Sequence, residues 1–355
     1  MIAKQRCLLA FICFLMIFCF AARSKVLLLD ERSNAIKLKF EIPHYEIGSK
    51  VIDGKPFTSI SDPLEPPTCD KGFPEVPFYT QSILINNNTT KEVEIIHIKY
   101  TDMKIPRLVP SRGQIKRSQN PNTVPYTFGE IYSQNSWYPE KNVTITEPFI
   151  FRDVKGVTVT FYPFQYNAVR GILRIAEEIV VSIKSINTIG ITSKRKSIST
   201  PDITSSAFSN IYKEMFINYP ILRSASNVPD GDKMIIIAAD KYKDKLDEFV
   251  EWKTRKGIKT TVYSYPSETG SEEKDIQNFI KKKYDEDKIT YVLLVGNGND
   301  VPGKHMEQNS TFPQFPFFPN FLVGNSAKVE SDPPYSLITD DIYPEVFIGR
   351  FCVDN

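Results

Sequence analysis

The sequence predicts an α+β chain of two parts: an all-β domain, then an α/β domain opening strand, helix, strand, helix, strand (βαβαβ) over a parallel sheet. Three observations predict it. Ile36, Leu38, Phe40 and Ile42 alternate with Lys37, Lys39 and Glu41, the period of two that buries one face of a strand and wets the other. From Lys233 onward the strands are continuous apolar runs, Met234 to Ala239 and Tyr291 to Val295, as when helices cover both faces of a parallel sheet. Seventeen of the 25 prolines precede Lys233, and strand edges and turns accept proline better than helices do.

Residues 1–24 read as a secretory signal peptide. Lys4 and Arg6 precede an apolar run from Cys7 to Phe20, followed by Ala21, Ala22 and Ser24, the order of charged, apolar and small residues that directs export and cleavage. The run is shorter than the roughly 20 residues a bilayer needs, so no stable membrane span is expected; a retained signal anchor is the rival reading. Cleavage removes Cys7, Cys13 and Cys19 and leaves Cys69 and Cys352, which is no disulfide scaffold. Cys69 sits beside Pro66 and Pro67 and is open to either a free or a bonded state. With 44 basic and 42 acidic residues and a net charge of +2, nothing marks a nucleic-acid partner. Acceptor sequons stand at Asn87, Asn88, Asn142 and Asn309.

Residues 25–186 form the β-rich domain, with further strands expected at Tyr79 to Ile85, Val93 to Tyr100, Val157 to Phe161 and Ile179 to Ile183. Residues 187–232 read as a linker, with one short helix where Phe208, Ile211, Tyr212 and Met215 recur at helical spacing. Its exposed basic residues, Lys194-Arg195-Lys196 and Arg223, are where proteolytic nicking concentrates. In residues 233–355 a first helix is expected from Asp240 as cap to Gly257 as terminator, burying Tyr242, Leu246, Phe249 and Val250. A second starts at Ser271 as N-cap and buries Ile276, Phe279, Ile280 and Tyr284.

Few residues carry chemistry. Asp341, Tyr343 and Glu345 alternate and would present oxygen ligands on one side of an extended segment, which suits calcium; a solvated acidic loop is the plain alternative. Gly296-Asn297-Gly298-Asn299-Asp300 follows a strand but lacks the spacing of a phosphate-binding loop, and Pro302 removes a donor where a helix should begin. Cys352 follows the strand Val346 to Phe351, as a nucleophile or as a packed strand-end thiol. A Pro- and Phe-rich insertion runs from about Lys304 to Glu330.

Phe249-Val250-Glu251-Trp252-Lys253, Thr290 to Gly296, and Tyr343 to Phe351 resemble, in order, the opening of the protease domain of gingipains, peptidase family C25. Gly72-Phe73-Pro74-Glu75-Val76-Pro77, Glu130-Ile131-Tyr132, Trp137-Tyr138-Pro139 and Phe164-Gln165-Tyr166-Asn167 resemble the β-rich propeptide of the same family. The resemblance implies a secreted cysteine-type endopeptidase made as a zymogen, with a caspase-like α/β protease domain represented here by its first part. Its propeptide packs intramolecularly on the protease domain, and its substrates are proteins or peptides. It also implies structural calcium held by the segment of Asp341, Tyr343 and Glu345 together with the residue ending the Leu-Leu-Val-Gly strand, here Asn297.

The family's catalytic His is followed by Gly, and its catalytic Cys ends a later strand. This chain has only His44, His97 and His305, none followed by Gly, so no catalytic residue is assigned and the chain by itself is expected to be inactive. The resemblance places activation cleavage after Arg223, ten residues before Lys233, with Lys194-Arg195 as the rival site. The alternative function is a secreted non-catalytic interaction or inhibitory module built from the propeptide and half the protease fold.

Overall fold

The computed structural model describes residues 25–32, 35–42, 44–85, 90–115, 118–186, 205–219, 231–306, 329–339 and 341–353. The signal segment, Lys194-Arg195, Arg223, the sequons at Asn87, Asn88 and Asn309, and Asp340 lie outside them. In chain order the strands are β1 Lys25–Arg32, β2 Ala35–Glu41, β3 Glu46–Ile52, β4 Lys55–Ser61, β5 Tyr79–Leu84, β6 Thr90–Lys104, β7 Val143–Ile145, β8 Phe149–Phe151, β9 Val154–Phe161, β10 Phe164–Asn167, β11 Ile172–Ile186, β12 Lys233–Ala239, β13 Lys259–Tyr265, β14 Tyr291–Val295, β15 Lys304–Met306, β16 Val329–Ser331 and β17 Phe347–Phe351. The α-helices are α1 Ser206–Met215, α2 Asp247–Arg255 and α3 Glu273–Asp287.

Two compact units divide the chain, and they do not divide it at one point. Of the described residues, the first comprises those from 25 to 81, 91–145 and 158–186; the second takes 82–85, 90 and 146–157 out of the β-rich half and joins them to those from 205 to 353. In the first unit an antiparallel sheet runs β1-β2-β11-β10, with β6 also paired to β11. The alternation that predicted β2 is realised: Ile36, Leu38 and Phe40 are buried, and Phe40 meets Phe161 and Tyr79 at 5.0 Å each. Asn142 is buried here, accepting from the Tyr100 hydroxyl (2.6 Å) and donating to the Tyr162 carbonyl (2.9 Å). A glycan on this sequon would have to be attached at the buried Nδ2 that donates to Tyr162. Cys69 is free, with Sγ 3.4 Å from the Pro67 carbonyl.

The second unit is built on a parallel sheet of order β13-β12-β14-β17, the α/β architecture the apolar runs predicted. Its core gathers Ile235 to Ala238, Val292 to Val295, and Ile276, Ile280 and Tyr284 of α3. The first helical stretch departs from expectation. Asp240–Lys245 forms a 3-10 turn and α2 begins only after Leu246, while Asp240 accepts from the Ser267 hydroxyl instead of capping a helix. Gly257 (φ +83°) does follow the helix end, in the left-handed conformation glycine adopts most readily. The N-cap of α3 is Glu272, whose capping box with Asp275 replaces the one expected of Ser271. A three-pair antiparallel stem, β15 on β16, closes the segment of residues 307–328, and His305 lies against Glu273 at the start of α3. Among the described residues no helix is long and apolar enough to cross a membrane.

Candidate functional site

The site emerges from a β-hairpin. Phe151 pairs with Val154, so Arg152 and Asp153 make a two-residue turn. Such turns need positive φ at the first central residue and favour Asn, Asp or Gly there. Arg152 takes φ +51°, a conformation costing a non-glycine residue on the order of 1 kcal/mol.

The side chain occupies a closed socket within the second unit. Arg152 Nη1 donates to the carbonyl oxygens of Ile289 (2.9 Å) and Glu345 (2.5 Å), and Nη2 to that of Lys288 (2.9 Å). Its Nε meets Asp153 Oδ2 at 3.1 Å. The guanidinium lies between two rings, 4.7 Å from Phe208 and 5.3 Å from Tyr284. The residue is 4% exposed. An arginine so stripped of water is tolerated because every face of its planar fork meets an acceptor or a π-surface.

Neighbouring elements lock the same place. Phe149, Phe151, Phe208, Tyr212 and Phe216 form one buried cluster on which Tyr343 and Phe347 pack. Tyr343 stacks on Phe149 at 4.2 Å and Phe208 meets Phe347 at 4.6 Å. Gly156 is required by this cluster, since a Cβ there would stand 2.6 Å from Phe216 and 2.8 Å from Phe149. Asp232, just before β12, accepts from Ser205 (2.6 Å), Ser206 (2.8 Å) and Thr290 (3.1 Å), tying the start of α1 to the starts of two sheet strands. Within the stretch read as linker, residues 205–219 therefore place one helix face, with Phe208, Ser209 and Tyr212, in the core. Burial holds the Asp153 carboxyl above its ordinary value against the pull of Arg152, and burial pushes Tyr343 up to about 12.

The four residues proposed for calcium are not brought together. Tyr291 lies beside Phe347 and Val295 beside Phe351 in parallel register. Asn297 therefore follows the carboxyl end of β14 while Glu345 precedes β17 at the opposite edge, roughly 15 Å or more away at about 3.3 Å per residue. Asn297 is an Asx turn, its Oδ1 accepting from the amides of Asn299 (2.9 Å) and Asp300 (3.2 Å). Asp341 accepts from the amides of Tyr343 (2.9 Å) and Ile150 (3.2 Å). Glu345 is fully buried, accepting from the Ile338 amide (2.6 Å) and the Thr339 hydroxyl. Burial, followed by the nearby charge of Asp341, raises the Glu345 pKa. These residues brace backbone; as a set they do not fit a calcium centre.

At the opposite, carboxyl-end edge a second arginine does comparable work. Arg350 makes a fork with Asp332 (2.9 and 2.6 Å) and donates to the carbonyls of Gly296 (3.0 Å), Asn297 (3.3 Å) and Val301 (2.7 Å). Cys352 is exposed just beyond β17. His305 engages Glu273 through Nδ1 and lies 3.5 Å from Glu330 through Nε2, and His97 lies 3.8 Å from Glu178. Both ring nitrogens of His305 thus face carboxylates, not a thiol.

Arg152 and Arg350 both escaped the sequence reading. A lone arginine has no periodicity; the available signal for Arg152 was its misfit, Arg-Asp where a tight turn asks for Asn or Gly.

The chain thus joins a β-rich region to an α/β region, and a hairpin turn and a helix from before the sheet belong to the sheet's own unit. The Propeptide_C25 family matches residues 22–216, and Peptidase family C25 matches residues 228–355. The chain belongs to peptidase family C25. It is 33% identical over 295 residues to gingipain R1 of Porphyromonas gingivalis, across 81% of this chain and 27% of that protein. Gingipain R2 of the same organism is 32% identical over 296 residues, covering 81% and 36%. Lys-gingipain is 23% identical over 330 residues, covering 89% and 18%. Among solved structures, the complex of P. gingivalis RgpB pro- and mature domains aligns with a TM-score of 0.49 and 30% identity, over 55% of this chain and 98% of that one. The chain spans about a quarter to a third of gingipains R1 and R2.

Proposed function

We propose that this chain is the N-terminal portion of a secreted gingipain-like cysteine endopeptidase made as a zymogen. Residues 1–24 direct export. The β-rich region is a propeptide held on the protease elements, and cleavage after Arg223 separates them. Among the described residues His97 and His305 turn ring nitrogens to carboxylates, not to a thiol, so the cutting of proteins or peptides is assigned to no residue of this chain. One observation carries the reading: hairpin β8–β9 and helix α1, both within the propeptide match, pack into the unit of the sheet matched by the peptidase family.

N-terminal sequencing of the secreted protein tests the cut. A start at Ser224 is expected. A start at Lys196 or Ser197 moves the site to the dibasic pair, and an intact chain starting near Ala22 or Lys25 refutes processing. Reading the gene beyond Asn355 tests the enzyme. An in-frame His-Gly and a later Cys are expected; a stop codon there favours the non-catalytic module.

A further inference from the structure

Helix α3 is badly finished by its own sequence. Its last residues are Asp285, Glu286 and Asp287, three carboxylates at the negative end of the helix dipole, where cations belong. No basic residue stands in the last turn, and Lys288 caps it in the left-handed conformation at φ +52°. The carbonyls of Lys288 and Ile289 then point away from the helix and accept from Arg152. Arg152 for its part sits in a turn conformation that suits glycine. Lys282 and Lys283, one turn back, pair with Glu286 and Asp287, but the carbonyls beyond the helix end are met by a strained arginine 136 residues away in sequence.

We propose that Arg152 is a detachable C-cap, and that the protease elements carry a guanidinium socket. Its walls are the carbonyls of Lys288, Ile289 and Glu345 and the ring of Tyr284. The ligand class is an alkylguanidinium, supplied in this chain by the propeptide. The socket is not a substrate pocket: it lies where β14 and β17 begin, whereas open α/β sheets bind ligands beyond the carboxyl ends of their strands. Phe208, the second ring, precedes Arg223 and leaves with the propeptide. Cutting the linker therefore leaves Arg152 and Phe208 together on the propeptide fragment, with the three carbonyls and the Tyr284 ring on the other.

The proposal rests on residues 25–186 being a removable propeptide, and its test separates the two ideas. A specific protease site is placed after Arg223 in the 355-residue chain, which is folded, then cut, and the fragments' Kd measured by dilution. Arg152→Gly relaxes the turn while removing the guanidinium, and is expected to weaken association by about 100-fold, several charge-assisted bonds being lost together. Arg152→Lys should remain about tenfold or more weaker than wild type, because a point charge cannot span three carbonyls. Millimolar methylguanidinium should restore the Arg152→Gly complex and methylammonium should not. A Kd within threefold of wild type for Arg152→Gly, or equal rescue by the two cations, overturns the socket. Should Arg152→Gly fail to fold, its refolding yield in the two cations is compared, and equal yields overturn it as well. A secreted protein never cut in the linker sinks the propeptide reading alone, since the socket is measured on the artificially nicked chain.

Discussion

The two ends of the parallel sheet are each held by an arginine, buried in the case of Arg152 and partly buried in the case of Arg350, and they are held differently. At the carboxyl edge Arg350 is neutralised by Asp332, and all its partners lie between Gly296 and Asp332. At the opposite edge Arg152 arrives from the β-rich half of the sequence and spends its bonds mainly on carbonyls. The carboxyl edge is thus self-sufficient within the peptidase match, while the other edge is completed from outside it. One end of the sheet is braced from within the peptidase match and the other from within the propeptide match.

The widest separation of the two edges should come from removing everything before the sheet. Residues 233–355 expressed alone lack Arg152, α1 and the aromatic cluster, and are expected to show no cooperative thermal transition; a sharp melt would make both edges self-sufficient. Next come Arg152→Met and Arg350→Met in the full chain. Each leaves buried acceptors unpaired and should cost about 3–5 kcal/mol by denaturant titration. Hydrogen exchange should rise around 284–291 for the first and around 296–302 for the second, and exchange spreading equally over both edges would erase the distinction.

Gly156→Ala should cost about 1–3 kcal/mol, because the added methyl meets Phe216 and Phe149 and overpacks the cluster. An unchanged melting temperature would show the cluster to be looser than its contacts imply. The smallest effect concerns Glu345. Its folded pKa lies above the ordinary 4.5 because burial disfavours the charge, so the folded chain holds that proton where the unfolded chain has lost it. Stability from this group is present below about pH 4.5 and declines as pH rises through the folded value. Glu345→Gln should flatten that slope at a net change of about 1 kcal/mol or less; a slope unaltered in the variant would assign the pH dependence elsewhere, Asp153 first.

Much of the fold was legible because its signals are local. Alternation at Ile36, Leu38 and Phe40 and the apolar run Tyr291 to Val295 each report burial within a few residues, and each became the strand expected. The site was less legible because its parts are remote from one another. Asp341, Tyr343 and Glu345 alternate convincingly, yet whether Asn297 joins them depends on the register of β14 against β17, which puts it at the far edge. The short helix was visible in Phe208, Ile211, Tyr212 and Met215, but its polar surroundings disguised it as linker. Its burial comes from Phe151 and Phe347, residues distant in the chain.

The stem formed by β15 and β16 carries a consequence of its own. Its three residue pairs close the segment of residues 307–328, and the His305 contact with Glu273 fixes the stem to the start of α3. Once the ends of a loop are pinned together, each doubling of the enclosed length costs only about 0.6 kcal/mol of closure entropy. The stem is thus a port at which the polypeptide can be lengthened at little thermodynamic cost. A guest domain whose own termini lie side by side could be spliced between Met306 and Val329 while the host sheet keeps its register, so recognition surfaces could be exchanged at this point independently of the sheet that supports them.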